Sequence, residues 1–190
     1  PVVAILAGIN GAGKTTASRE ILQDVLRIPA FVNADTIARG LNAFDVESEA
    51  ANAGRIMLDQ LHKLAGRRQS FSFETTLAGR AYASWLKSLR VTGYEVYLFY
   101  YWLESAETAI GRVAGRVRAG GHHIPEETIR RRYRLSARNF FQLYRPIADQ
   151  WRVYDNTHGE PRLLAFGIED REHVLDGDRW QDFTRSADDD

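Results

Sequence analysis

The chain has 190 residues, 44% of them hydrophobic and 26% charged, enough for one domain with a substantial core. Lys plus Arg and Asp plus Glu are equal at 25 each, which removes any global field for recruiting nucleic acid. Cysteine is absent, excluding disulfides, thiol catalysis and cysteine metal sites and fitting a cytoplasmic setting, and no apolar run approaches a membrane-spanning length.

Pro1 opens almost directly into Val2–Ala7, an apolar, β-branched run that reads as a strand rather than a signal peptide, and leads to the expectation that no inhibitory or targeting segment precedes it. The run feeds into Gly8-Ile9-Asn10-Gly11-Ala12-Gly13-Lys14-Thr15-Thr16, a G-x-x-x-x-G-K-T loop in its required context between strand and helix. The glycines let backbone N–H groups curl around a phosphate, and the N-terminus of the following helix adds its positive end. Lys14 then reaches the β- and γ-phosphates, Thr15 offers a hydroxyl to Mg²⁺, and Gly8, Asn10, Gly11, Ala12, Gly13 and Thr16 complete a nucleoside triphosphate cradle.

Ala17, Ile21 and Val25 continue a helix from Thr16 to Leu26, closed by Pro29. Ala30–Asp35 reads as a short buried strand ending on a carboxylate, and Thr36–Phe44 as a turn of helix and a loop. Asp45 is the expected N-cap of a long amphipathic helix running to Ala65, with Gly66 as its left-handed end. Gln69–Phe73 gives a strand ending at Glu74-Thr75-Thr76, and Ala81–Val91 a helix broken by Gly93. Tyr94–Leu103 is almost uniformly apolar, as in a strand covered on both faces. Ser105 caps a helix to about Ala119, Gly120–Ile124 is a loop, and Pro125 sits at the first position of another helix. Trp151–Asp155 is a fifth strand, His158–Gly167 resembles a hairpin or edge strand, and 186–190 form a weakly ordered tail.

This alternation predicts a single α/β domain over 1–190, a three-layer sandwich around a five-stranded parallel sheet. Ligands then gather at the carboxyl ends of the strands, where Asp35, Glu74 and Thr75 lie. Asp35 can take the proton of an attacking hydroxyl or hold Mg²⁺ through water; its residue type equally suits an N-cap for the turn after it. Glu74 and Thr75 can bind the hydroxyls of a second substrate or join the Mg²⁺ shell, or else cap the helix after Ala78. Arg112 and Arg116 share one helical face, and Arg118 ends that helix beside Gly120-Gly121. With the hinge and the following arginine-rich helix they suit a lid over about 112–134 that stabilises phosphoryl charge, whereas Arg130–Arg134 mostly suit a solvated face. His122 and His123 lack metal-ligand partners, and the tryptophans suit the core. Asp155-Asn156-Thr157 either approaches the adenine end of the nucleotide or is only a turn.

Taken together, Gly8–Thr16, Val32-Asn33-Ala34-Asp35, Phe73-Glu74-Thr75-Thr76 and Arg118–Pro125 resemble the small members of the zeta toxin family of P-loop kinases, from about residue 2 to residue 157. The resemblance implies transfer of the ATP γ-phosphate to a hydroxyl of a small molecule, in that family the 3′-hydroxyl of N-acetylglucosamine in UDP-N-acetylglucosamine. It implies Lys14 as the phosphate-binding lysine, Asp35 as catalytic base, Glu74 and Thr75 as acceptor contacts, and Arg112 and Arg118 as lid arginines. It also brings in an antitoxin protein as a candidate partner. Rival readings are an ATPase coupled to a partner, a binding module without turnover, and a polynucleotide 5′-kinase whose arginine-rich helices track a phosphate backbone. A GTPase switch is disfavoured because no Asn-Lys-x-Asp motif occurs, and a transporter ATPase because no Leu-Ser-Gly-Gly run occurs.

Overall fold

Val2–Ala7 is apolar at every position because both faces of this strand, β1, are covered. Val3, Ile5 and Ala7 enter one hydrophobic cluster, Ala4 and Leu6 the other, and all five are at most 1% exposed. A strand buried on both sides is the central element of a three-layer α/β sandwich. The computed structural model describes residues 1–19 and 26–188. The predicted helix from Thr16 therefore falls partly outside the described residues; its visible part is α1, Lys14–Arg19.

The order continues β2 (Ala30–Val32), α2 (Ala34–Leu41), α3 (Ala50–Gly66), β3 (Phe71–Thr75), α4 (Ala81–Val91), β4 (Glu95–Trp102), α5 (Ala106–Arg118) and α6 (Glu126–Asn139). It ends with β5 (Gln150–Asp155), β6 (Arg162–Ile168), β7 (Arg171–Val174) and α7 (Gly177–Asp188). The sheet has seven strands in the order β2-β3-β1-β4-β5-β6-β7, not the five expected. The five expected strands are parallel, while β6 and β7 are antiparallel additions at one edge. β7 is exposed along its whole length, so it carries no apolar run or alternation by which a strand announces itself.

Three helix ends differ from expectation. α3 starts at Ala50 with Glu49 at its cap, because Asp45 instead closes its own turn by accepting the Ser48 N–H at 3.2 Å. Gly66 stays helical, and Arg68, with φ of 54°, takes the left-handed turn. Pro125 is the cap of α6 rather than its first helical residue.

The tail expected from residue 186 is corrected for 186–188, which complete α7. Phe183 anchors that helix, fully buried among Tyr100, Phe140, Phe141 and Trp180 with ring centroids 5.0–5.6 Å away. Phe183→Ala is expected to cost about 3–5 kcal/mol of unfolding free energy. Equilibrium urea unfolding checks this; a loss below about 1 kcal/mol would mean that α7 is not packed as described.

Helix α6 carries two adjacent stripes. Ile129 and Ala137 pack into the apolar clusters, and beside them Arg132, Ser136 and Asn139 form a polar line at helical spacing. Each polar member has a partner: Arg132 Nη1 donates to Asn10 Oδ1 at 2.8 Å, Ser136 and the Tyr100 hydroxyl share a 2.7 Å hydrogen bond, and Asn139 Nδ2 donates to the Leu77 carbonyl at 2.7 Å. This line fixes α6 across the ends of β1, β3 and β4.

Candidate active site

The loop after β1 turns sharply because Gly8, at φ of +132°, lies against the carbonyl of Tyr101, where no Cβ fits. The Ala12 N–H closes the turn on the Ile9 carbonyl at 3.1 Å, and Lys14 starts α1 with its side chain folded back under the loop. Lys14 is only 6% exposed; its Nζ donates to the Ile9 carbonyl at 2.9 Å and lies 3.5 Å from Glu74 Oε1. Burial pulls this ammonium below its ordinary range, outweighing the attraction of Glu74 and Asp35.

Parallel pairing of β1 with β3 sets Leu6 opposite Glu74 and Ala7 opposite Thr75, which brings the end of β3 beside the loop. Glu74 is the hub. Its Oε2 accepts from Thr15 Oγ1 at 2.7 Å and from Asn33 Nδ2 at 2.9 Å. Thr75 Oγ1 accepts the Leu77 N–H at 3.1 Å, and fully buried Leu77 holds a φ of 55°. A bulky residue in that region stores strain, which concentrates at functional sites.

Asp35 does not cap α2. Asn33 does so, its Oδ1 accepting the Thr36 N–H at 3.1 Å, which leaves Asp35 exposed in the first turn. Its carboxylate opens onto a cleft of about 190 Å³ that Asn10, Lys14, Glu74, Thr75 and Arg132 also line. Tyr82, Met57 and Gly54 form part of the far wall. Burial lowers the Arg132 pKa, as does Arg131, while Asp35 opposes the shift; Arg132 stays a cation at physiological pH.

The structure thus gathers Asn10, Lys14, Asp35, Glu74 and Thr75 around one cleft, with Gly11, Ala12, Gly13, Thr15 and Thr16 in the adjoining loop and helix start. It does not gather the three arginines expected with them. Arg112 turns behind the loop and donates to the carbonyls of Gly11, Asn156 and Thr157 at 3.3, 2.7 and 2.9 Å. Arg116 donates to the His122 carbonyl at 3.4 Å and lines a second cleft of about 600 Å³ with Arg39, Phe44 and His123. Arg118 is exposed and lines neither cleft. The arginine that lines this cleft is Arg132, one of a run, 130–134, read mostly as a solvated face. Its signal was available: Arg132, Ser136 and Asn139 recur at the spacing of one helical face.

Thr15 Oγ1 and the Glu74 carboxylate form an all-oxygen pair beside the loop, a donor set that suits a hard cation such as Mg²⁺. Among the described residues no group of three or more His, Cys, Asp or Glu side chains is placed to hold a metal alone. Mg²⁺ in nucleotide sites takes most of its shell from phosphate oxygens and water, so this sparse set fits it. Among the described residues no helix is long and apolar enough to cross a membrane.

A family model described as an AAA domain matches residues 3–136. An uncharacterized protein of Haemophilus influenzae is 31% identical over 126 residues, covering 66% of this chain and 88% of its own. Among solved structures, a chain of the AvrRxo1-ORF1:-ORF2 crystal structure with ATP superposes with a TM-score of 0.76 at 17% identity, covering 97% of this chain. The present chain spans 63% of the length of that neighbour. A chain from the PezAT chromosomal toxin-antitoxin system of Streptococcus pneumoniae gives a TM-score of 0.63 at 19% identity, covering 87% of this chain and 71% of its own. The architecture is that of a P-loop kinase-like α/β fold. Residues 137–190, with Asn156 and α7, lie beyond the family match.

Proposed function

We propose that this chain, which belongs to the AAA domain family, is an ATP- and Mg²⁺-dependent kinase that transfers the γ-phosphoryl group to an alcohol of a small molecule. The observation that carries the reading is the placement of an uncapped carboxylate, Asp35, on the same cleft as Lys14 and Arg132. Binding ATP alone needs no such group, and a cleft lined by acid, amide and hydroxyl side chains suits a second, hydroxyl-bearing substrate.

In the proposed reaction the acceptor hydroxyl lies between Asp35 and the γ-phosphorus. Its proton passes to the Asp35 carboxylate as its oxygen bonds to phosphorus, and the bond from the γ-phosphorus to the bridging oxygen breaks, releasing ADP. Lys14 leaves the Ile9 carbonyl for the β- and γ-phosphate oxygens. Arg132, poised on Asn10, faces the charge spread over the transferring group. Thr15 and Glu74 would hold Mg²⁺, which would supply neutralisation of phosphate charge there. Glu74 then serves the loop and the cation more than the acceptor, a narrower role than resemblance alone implied, while Thr75 stays with the acceptor. Closure of the loop at 119–123 over the second cleft excludes water that would otherwise hydrolyse ATP.

The zeta toxin resemblance supports a UDP-activated amino sugar as acceptor, and the toxin–antitoxin origin of one structural neighbour supports an antitoxin-type protein as partner. Incubation with γ-labelled ATP and separate UDP-sugars, nucleosides and oligonucleotides tests the reading. Label in a UDP-sugar or nucleoside supports it, and label in an oligonucleotide 5′ end supports the polynucleotide kinase instead. Label found only as free phosphate across the panel would sink it in favour of an ATPase.

A further inference from the structure

The corner after β5 touches the phosphate loop from behind, on the side away from the cleft. Asn156 is 5% exposed, and its Nδ2 donates to the Ala12 carbonyl at 2.8 Å. The same nitrogen occupies the space that a Cβ on Gly13 would need, which makes Gly13 and Asn156 a matched pair. Arg112 braces the arrangement, since its guanidinium spans the carbonyls of Gly11, Asn156 and Thr157. The corner is itself anchored. The Asn156 N–H donates to the Trp102 carbonyl at 2.9 Å, and Asp155 is paired at 2.7 Å with Arg179 of α7, whose guanidinium stacks 4.7 Å from the Trp102 ring.

A trans peptide is planar, so its C=O and the next residue's N–H point in opposite directions. Drawing the Ala12 carbonyl backward onto Asn156 therefore aims the Gly13 N–H forward, toward the concave side where an anion would sit. The other half of the amide sharpens the point. Among the described residues Asn156 Oδ1 is buried without a hydrogen-bond partner. The amide thus carries the cost of one unsatisfied buried acceptor while its other end holds the Ala12 carbonyl.

We infer that Asn156, braced by Arg112, is a positioning residue that sets the Ala12–Gly13 peptide of the phosphate loop, so that β5 and α7 prepare the anion site from behind. The inference rests on the reading of Gly8–Thr16 as a phosphate-binding loop and not on the identity of the acceptor. The experiment uses inorganic tripolyphosphate as probe, measured by calorimetry on the full chain. Asn156→Ala is expected to weaken tripolyphosphate binding by at least about tenfold in protein that unfolds cooperatively. Asn156→Asp, which keeps the shape but replaces the donor with a second acceptor, is expected to weaken it at least as much.

If the wild type binds tripolyphosphate and folded variants bind it within about twofold, Asn156 is merely structural and the inference falls. If the wild type itself binds none, the phosphate-loop reading falls and takes this role with it. Should both variants fail to fold, amide exchange in the wild type decides. Slow exchange of one Asn156 side-chain N–H with and without tripolyphosphate supports the contact, and fast exchange in both states overturns it.

Discussion

Asp35→Asn is expected to lower the rate of phosphoryl transfer by roughly 10²–10⁴-fold, the usual loss on removing a positioned general base. The substitution preserves shape and removes the carboxylate's charge together with its ability to accept a proton. Asp35 is exposed and the helix cap is Asn33, so unfolding free energy should change by no more than about 0.5 kcal/mol. ATP affinity should hold within about threefold, since in the proposed reaction Asp35 serves the acceptor proton and not the phosphates. Single-turnover kinetics and a separate ATP titration make the check. Normal turnover with the true acceptor would remove Asp35 from the base role, and collapse of ATP binding would mean that it serves the nucleotide instead.

Arg132→Ala is the second large effect, with an expected fall in kcat of roughly 10²–10³-fold, as for loss of one preorganised charge stabiliser. Arg132 reaches Asn10 across 122 residues of sequence and lines the same cleft as Asp35 and Lys14. A guanidinium there meets charge that grows only as the phosphoryl group departs, so kcat should suffer more than KM for ATP. Arg132→Lys should recover only part of the loss, because an ammonium lacks the planar fork. A loss confined to KM would make Arg132 a ground-state phosphate contact. A parallel Arg118→Ala variant should stay near wild-type activity, since Arg118 lines neither cleft.

What was legible in the sequence follows from how local each feature is. The phosphate loop, the ends of β2 and β3, and helices α4 and α5 rest on contiguous residues whose pattern carries its own physics: glycines at a turn, apolar runs, Ser105 as a cap. The cleft residues Lys14, Asp35, Glu74 and Thr75 were reachable because a parallel sheet presents its strand ends together. Arg132 was not. Nothing in Ile129–Arg134 says which of several consecutive arginines faces inward until Ser136 and Asn139 are seen to share its line. The lid arginines misled for the opposite reason. Helical spacing put Arg112 and Arg116 on one face, but the carbonyls that draw Arg112 away come from residues 156 and 157, far along the chain. The edge strand expected within 158–167 is β6, whereas β7 and α7 escaped because their surfaces are largely polar, and only Phe183 and its neighbours reveal the burial of α7.

The two-substrate account meets its most direct test in one mass balance. ATP, Mg²⁺ and UDP-N-acetylglucosamine are incubated with the wild type, and ADP, free phosphate and phosphorylated sugar nucleotide are quantified by mass spectrometry. The account predicts sugar phosphate formed in step with ADP by the wild type and none by Asp35→Asn. ADP matched only by free phosphate, at a rate indifferent to this acceptor and to every other hydroxyl compound supplied, would contradict it.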